Sequence, residues 1–199
     1  MSSTQKSLAY SIPNLLTYAR ILAVPLIVLC FFSFKGELRD SDFARWSALV
    51  IFVVASITDF FDGYLARKWK QVSNIGRMLD PIADKLLVSV ILLLLAATQD
   101  IAGFSLWAGV IILCREILVS GLREYLAALQ VSVPVTVLAK WKTTIQMIAL
   151  GLLLVGPAGD KVLPFVSEAG ILMLWLAALI TLYTGWDYFR AGLKHVFDD

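Results

Sequence analysis

The chain has 199 residues, 59% of them hydrophobic, and carries a formal net charge of +2 at pH 7. This hydrophobic share exceeds the roughly 45–50% of ordinary soluble domains, so the composition favours a membrane protein over a water-soluble one. The small net charge gives no indication of a nucleic-acid-binding surface, and we expect no nucleic-acid partner.

Six apolar runs follow one another along the chain, and a helix needs about 20 such residues to cross the hydrocarbon core of a bilayer. The predicted spans are Asn14–Phe34, Ala44–Ala66, Pro81–Ala97, Ile101–Arg123, Val137–Gly156 and Ala169–Phe189. The segment Gly156–Gly170, rich in glycine and proline, is predicted to be the turn before the last span. We therefore predict an all-α, polytopic protein with six transmembrane helices and a short N-terminal surface segment. Residues 1–199 are expected to form a single domain in the lipid bilayer.

Lysine and arginine residues are distributed unevenly between the two predicted membrane faces. Of the 17 in the chain, only Lys35, Arg39, Arg45 and Lys161 fall near one face, and the others fall near the opposite face. Positively charged residues concentrate on the cytoplasmic side of membrane proteins. Both chain termini are therefore predicted to be cytoplasmic, together with an acidic motif carried by the second and third predicted spans.

Four aspartates interrupt this apolar part of the chain. The pattern is Asp59-x2-Asp62-Gly63-x2-Ala66-Arg67, then eight residues, then Gly76-x3-Asp80-x3-Asp84. Ionised groups are costly at membrane depth, so four carboxylates together require a compensating positive charge. One divalent cation or a pair of them would supply it, and both Mg²⁺ and Mn²⁺ suit carboxylate oxygen.

Helical geometry allows these aspartates to form one site. At about 100° per residue, Asp59 and Asp62 share a helix face with the two small residues of the motif, which leave room for a ligand near the backbone. Asp80 precedes Pro81 and is predicted to be the N-cap of the next helix. Asp84 then follows one turn later, so two helices with a carboxylate pair each can face one another across a metal site.

The acidic pattern leaves three kinds of site open. It is typical of the metal site of an enzyme, but aspartates within membranes also serve cation or proton transport. Alternatively, Asp59 and Asp62 could form structural salt bridges with Arg67 and Lys85.

A group of basic residues lies near the same predicted membrane face. Arg115 and Arg123 are eight residues apart, which is about two turns, so they share one side of a helix. Together with Arg20, Lys140 and Lys142 at the ends of other spans, they can form a pocket for an anion such as phosphate.

Two of these basic residues carry a further expectation. Arg115 lies within an apolar run and requires a partner, either the adjacent Glu116 or one of the aspartates. Lys140 and Lys142 point about 200° apart on a helix, so only one of them is expected to reach a given site.

The acidic pattern resembles the signature of the CDP-alcohol phosphotransferase family and matches it at every specified position. The predicted layout, with the motif on the second and third spans, is similar to that family as well. Three further segments support a likeness to members with an anionic acceptor: Pro13-Asn14-Leu15-Leu16-Thr17-x2-Arg20, Arg115-Glu116-Ile117 with Leu122-Arg123-Glu124, and Lys140-x-Lys142-Thr143-Thr144-x-Gln146.

The resemblance implies transfer of a phosphatidyl group from CDP-diacylglycerol to the primary hydroxyl of sn-glycerol 3-phosphate, with release of CMP. It also implies a two-metal site for Mg²⁺ or Mn²⁺, a homodimer, and a location in the bacterial inner membrane.

The resemblance further implies a role for each candidate residue. The metal ligands would be Asp59, Asp62, Asp80 and Asp84, with Asp84 also the catalytic base on the incoming hydroxyl. CDP-diacylglycerol would be bound by Asn14, Thr17, Asp59, Asp62, Gly63, Ala66 and Arg67. Glycerol 3-phosphate would be bound by Arg20, Arg115, Arg123, Lys140 and Lys142.

Two alternatives to this function stay open at the level of sequence. One is a sister transferase that uses inositol phosphate, serine or a second phosphatidylglycerol, although serine would not need five cations in its pocket. The other is a divalent-cation transporter, whose cargo a basic pocket beside the acids would repel.

Overall fold

The structure is a computed structural model that describes residues 12–32, 40–69, 74–128, 130 and 137–196; the side chains of residues 60–69 and of a few other helical positions are not described. The described residues form six α-helices and one short 3-10 helix (Gly103–Ser105). The helices are α1 (Ile12–Phe31), α2 (Asp42–Trp69), α3 (Asn74–Ala97), α4 (Leu106–Ala128), α5 (Val137–Asp160) and α6 (Val166–Val196). The predicted all-α fold is confirmed.

Four stretches of the described chain are long and apolar enough to cross a membrane. They are Asn14–Phe31, Gly103–Ala127, Trp141–Asp160 and Val166–Trp186. The prediction of a multi-pass membrane protein is therefore confirmed, whereas the spans on α2 and α3 stay predictions. These two helices carry the acidic motif, whose charges lower their hydropathy.

The bundle is organised around α1 and α5. Helix α1 packs against α2 and α3, while α5 packs against α6 and α2, and α4 packs against α6. The shared core consists of fully buried aliphatic side chains such as Ile27, Ile91, Ile112, Leu150 and Leu154. The outward faces are also rich in exposed leucine, isoleucine and valine, as expected for helices in contact with lipid.

The predicted N-cap at Asp80 is wrong. Helix α3 begins at Asn74 and continues through Pro81, which lies inside it. A proline removes only one hydrogen bond from the helical ladder, so the helix can pass through this position. The Asp80 carboxylate is used instead for a contact with Thr17 on α1, at 2.7 Å.

The predicted turn Gly156–Gly170 is shorter than expected. Helix α5 continues to Asp160 across a kink at Gly156, and α6 already begins at Val166. The Asp160 carboxylate accepts hydrogen bonds from the backbone N–H and the hydroxyl of Ser167, at 3.0 and 2.5 Å. These bonds close the intervening turn at residues 161–165, which sets its length.

At the end of the bundle far from the acidic motif, a buried arginine holds several elements together. Arg45 at the start of α2 donates to Asp40, from Nε to Oδ1 at 2.6 Å and from Nη2 to Oδ2 at 2.8 Å. Its Nη1 reaches Asp100 Oδ2 at 3.1 Å and the carbonyl oxygen of Leu154 at 3.5 Å. The guanidinium therefore connects α2, the turn after α3 and the kinked part of α5.

We predict that Gly156→Ala destabilises this end of the bundle. Gly156 has φ +35° and ψ −120°, and an added Cβ would lie 2.9 Å from Arg45 Nη1 and 3.3 Å from Asp100 Oδ1. Backbone strain and a disturbed ion pair together should cost about 1–3 kcal/mol. Thermal unfolding in detergent should show a melting temperature lower by roughly 2–4 °C per kcal/mol.

Gly121→Ala is the matched control for this variant. Gly121 lies in α4 with nothing within 4 Å of an added Cβ, and its backbone is helical. The control should melt at or slightly above the wild-type temperature because alanine is the better helix former. Equal melting temperatures for both variants would contradict the role given to Gly156.

Candidate active site

The acidic motif opens onto a cavity between α3 and α4. A wide chamber of about 500 Å³ is lined by three motif carboxylates, Asp59, Asp80 and Asp84, and by side chains of α4. A narrow chamber of about 170 Å³ extends from it to α5. The two chambers share Asp84, Lys85, Arg115, Glu116, Val119 and Arg123. Asp84 therefore lies where an acidic region and a basic region meet.

Two of the motif carboxylates are held by side chains of α1. The Asp59 carboxylate forms a salt bridge with Nη1 of Arg20, which is 1% exposed. The Asp80 carboxylate accepts a hydrogen bond of 2.7 Å from the buried hydroxyl of Thr17. Thr17 and Arg20 are three residues apart and so share one helix face. Helix α1 thereby fixes the positions of carboxylates on both α2 and α3.

Helix α1 has one more polar residue on this face, the buried Asn14. Asn14, Thr17 and Arg20 are spaced by three residues, and this spacing within an apolar helix is the sequence signal for a supporting polar face. Arg20 lines neither chamber. Its observed contact is with Asp59, and its assignment to the acceptor phosphate stays a prediction.

The basic side of the cavity is built around Glu116. Its carboxylate forms a salt bridge with Lys142 Nζ and lies 3.5 Å from Arg115 Nη1. Arg115 also donates a hydrogen bond of 3.3 Å from Nη2 to the hydroxyl of Thr184 on α6. The prediction that Arg115 requires a partner such as Glu116 is confirmed.

The other predicted basic residues are placed as follows. Arg123 lines both chambers, and Lys142 lines the narrow one. The side chain of Lys140 lies outside the described part of the chain, so the expectation that only one of the two lysines reaches the site is untested. The structure thus brings Arg115, Arg123 and Lys142 together around one small volume.

Two residues of the cavity received no role from the sequence. Lys85, considered there only as a possible salt-bridge partner, lines both chambers, donates to the hydroxyl of Ser120 and lies 3.7 Å from Glu124 Oε1. Gln146 lines the narrow chamber and is 2% exposed. Its position four residues after Lys142 places both on the same face of α5, and this spacing is the signal that could have found it.

Several predicted site residues lie where only the backbone is described. Asp62, Gly63, Ala66 and Arg67 belong to this group, although the helix predicted for them is confirmed, since α2 extends to Trp69. Among the described residues, no three acidic, histidine or cysteine side chains are close enough to hold a metal ion. Asp59, Asp80 and Asp84 nevertheless line the same chamber and offer the oxygen donors that hard divalent cations prefer.

The arrangement can bind ligands of both charge types in adjacent places. The carboxylates would hold a divalent cation, which would supply positive charge beside a phosphate group. The cationic side chains of the narrow chamber suit the phosphate of a small molecule. Asp84 faces both regions, so it could take a proton from a group held between them.

Comparison with known proteins identifies the family of the chain. Residues 10–183 match the family described as CDP-alcohol phosphatidyltransferase. A CDP-diacylglycerol--glycerol-3-phosphate 3-phosphatidyltransferase of Rickettsia bellii is 47% identical over 185 residues, covering 93% of this chain and 97% of that protein.

Proteins of the same name from two other bacteria are also similar. The one from Cereibacter sphaeroides is 38% identical over 223 residues, covering 96% of this chain and 99% of that protein. The one from Escherichia coli K12 is 38% identical over 191 residues, covering 95% and 98%. The chain therefore belongs to the CDP-alcohol phosphatidyltransferase family.

Proposed function

We propose that this protein transfers the phosphatidyl group of CDP-diacylglycerol to sn-glycerol 3-phosphate, giving phosphatidylglycerophosphate and CMP in phospholipid biosynthesis. The observation that carries the proposal is the joined pair of chambers, one acidic and one basic, that share Asp84. The similar bacterial proteins, which the chain matches over nearly their whole length, are named for a phosphatidyl transfer between the same two substrates.

The basic chamber supports an anionic acceptor. Arg115, Arg123 and Lys142 line it together, and guanidinium and ammonium groups bind phosphate oxygens by charge-assisted hydrogen bonds. Such a chamber gives little advantage to serine, whose hydroxymethyl side chain has no phosphate. Inositol phosphate is an anion too, and the relatives' names favour glycerol 3-phosphate over it.

On the donor side, we assign the pyrophosphate of CDP-diacylglycerol to the acidic chamber. Arg67 would contact its oxygens, while Gly63 and Ala66 leave space for the cytidine beside Asp59 and Asp62. Asn14 and Thr17 complete the proposed donor set. Thr17 acts on the donor through Asp80, because its described hydrogen bond is to that carboxylate.

Mg²⁺ or Mn²⁺, as a two-metal site, is the proposed cofactor, with Asp59, Asp62, Asp80 and Asp84 as its ligands. These residues fit such ions, since every carboxylate is a hard oxygen ligand. The three whose side chains are described, Asp59, Asp80 and Asp84, line one chamber. When bound, such ions supply the positive charge that neutralises the pyrophosphate.

The chain's own residues account for the remaining requirements of the transfer. Arg115, Arg123 and Lys142 hold the acceptor by its phosphate and direct its primary hydroxyl towards Asp84. The Asp84 carboxylate takes the hydroxyl proton as the oxygen attacks the phosphorus that carries the diacylglycerol. The bond from that phosphorus to the bridging oxygen then breaks, and CMP leaves with this oxygen.

We place the site at the cytoplasmic face of a bacterial inner membrane, in a homodimer. The uneven distribution of lysine and arginine supports the orientation. The bacterial relatives support the compartment, and the apolar outward faces supply surface for a second copy or for lipid.

Release of CMP by purified protein tests the proposed function. With CDP-diacylglycerol in detergent, we expect release with glycerol 3-phosphate in the presence of Mg²⁺ or Mn²⁺, and none after chelation. Inositol phosphate and serine are offered separately as competing acceptors. CMP release with only inositol phosphate or only serine would show that this compound, and not glycerol 3-phosphate, is the acceptor. Metal uptake into vesicles without CMP release would favour a divalent-cation transporter.

Asp84→Asn should lower turnover by at least about 100-fold, the lower range for loss of general base catalysis. An amide cannot accept the hydroxyl proton as a carboxylate does, although it keeps the size of the side chain. CMP release measures turnover, and retention of CDP-diacylglycerol by the purified variant shows that the donor site persists. Turnover at the wild-type rate would remove Asp84 as the base.

Thr17→Val should raise the metal concentration needed for half-maximal CMP release by about 10- to 100-fold, because Asp80 loses a hydrogen bond that orients it. Thr181→Val is the matched control: Thr181 is also buried, and its Oγ1 has no hydrogen-bond partner in the described structure. The control should keep the wild-type metal dependence. An unchanged metal dependence in Thr17→Val would show that this hydrogen bond has no role in the site.

A further inference from the structure

The wall that α5 contributes to the narrow chamber contains a buried polar group without a partner. Gln146 is 2% exposed, and its Oε1 accepts no hydrogen bond within the described structure. The residue lines the chamber with Lys142, one helical turn away, and with the apolar Met147. A buried oxygen of this kind is costly, since it has lost its water and gained no donor.

The chemistry of Gln146 differs from that of its neighbours. Lys142 and Arg115 are donors and suit the oxygens of a phosphate, which are acceptors. The Oε1 of Gln146 is itself an acceptor, so it requires a ligand atom that carries a hydrogen. A hydroxyl group provides such an atom, whereas a fully ionised phosphate does not.

Glycerol 3-phosphate has two hydroxyl groups, and this argument rests on the proposed function. The primary hydroxyl is the attacking group and must face Asp84, which takes its proton. The secondary hydroxyl lies between this group and the phosphate, and its position in the chamber has no other assigned partner. Asp84, Lys142 and Gln146 all line the same chamber of about 170 Å³.

We propose that Gln146 is a specificity-determining residue that accepts a hydrogen bond from the secondary hydroxyl of the acceptor. The site then recognises three groups of the acceptor at once: the phosphate by cations, the primary hydroxyl by Asp84 and the secondary hydroxyl by Gln146. A phosphate ester that lacks the secondary hydroxyl leaves the Gln146 oxygen buried and without a donor, so it is rejected.

The test compares glycerol 3-phosphate with 3-hydroxypropyl phosphate, which keeps the phosphate and the primary hydroxyl but lacks the secondary one. The readout is kcat/KM for CMP release with each acceptor. Wild-type protein should prefer glycerol 3-phosphate by about 10- to 100-fold, the size expected for one buried hydrogen bond to substrate. Gln146→Met has a similar length and no hydrogen-bonding amide, and it should lose most of this preference by losing activity on glycerol 3-phosphate alone.

Two further variants keep the test decisive. Met147→Leu changes an apolar neighbour in the same chamber and should keep the wild-type preference. Gln146→Glu keeps an acceptor oxygen but adds a negative charge near the phosphate. Gln146→Glu should lower kcat/KM for both acceptors while retaining the preference for glycerol 3-phosphate. It replaces Gln146→Met in the test if that variant does not fold.

Two outcomes would overturn the inference while leaving the proposed function intact. An equal loss on both acceptors in folded Gln146→Met would show that Gln146 serves the phosphate or the chamber wall. A wild-type preference in that variant would assign the secondary hydroxyl to another residue or to water. Absence of turnover by wild-type protein with either acceptor would instead overturn the proposed function, and the inference with it.

Discussion

A charged side chain inside an apolar helical bundle is stable only beside a charge of opposite sign, and this constraint governs both ends of the molecule. Near the acidic motif, Arg20 pairs with Asp59, and Lys142 pairs with Glu116. At the other end, Arg45 binds two aspartates. Each of these ion pairs fixes the relative position of two elements of the fold. The same ionic contacts that stabilise the bundle therefore place the side chains that surround the cavity.

The parts of the structure that depend on local pattern could be predicted from the sequence. Long apolar runs determine helices in a membrane because the backbone must satisfy its own hydrogen bonds there. The need of Arg115 for a partner followed from its apolar neighbours, and Glu116 meets it. The spacing of Asp80 and Asp84 placed both on one helix, and both line the same chamber.

Features that depend on contacts between distant residues could not be predicted in this way. Asp80 next to Pro81 has the local pattern of a helix start, but its carboxylate is committed to Thr17, 63 residues earlier. The kink at Gly156 accommodates Arg45, which belongs to another helix. Arg20 was grouped with the other cations by its charge, and only the packing of α1 against α2 shows its contact with Asp59.

The carboxylate of Glu116 influences which anions the narrow chamber binds. A chamber lined only by lysine and arginine would retain any small dianion, including the inorganic phosphate that is abundant in cells. Glu116 already pairs with Lys142 and contacts Arg115, so an arriving anion gains only the difference between its attraction and that of the carboxylate. Glu116 thus competes with any incoming anion for the same cations and weakens its binding. A ligand that makes additional contacts in the chamber is therefore bound in preference to inorganic phosphate.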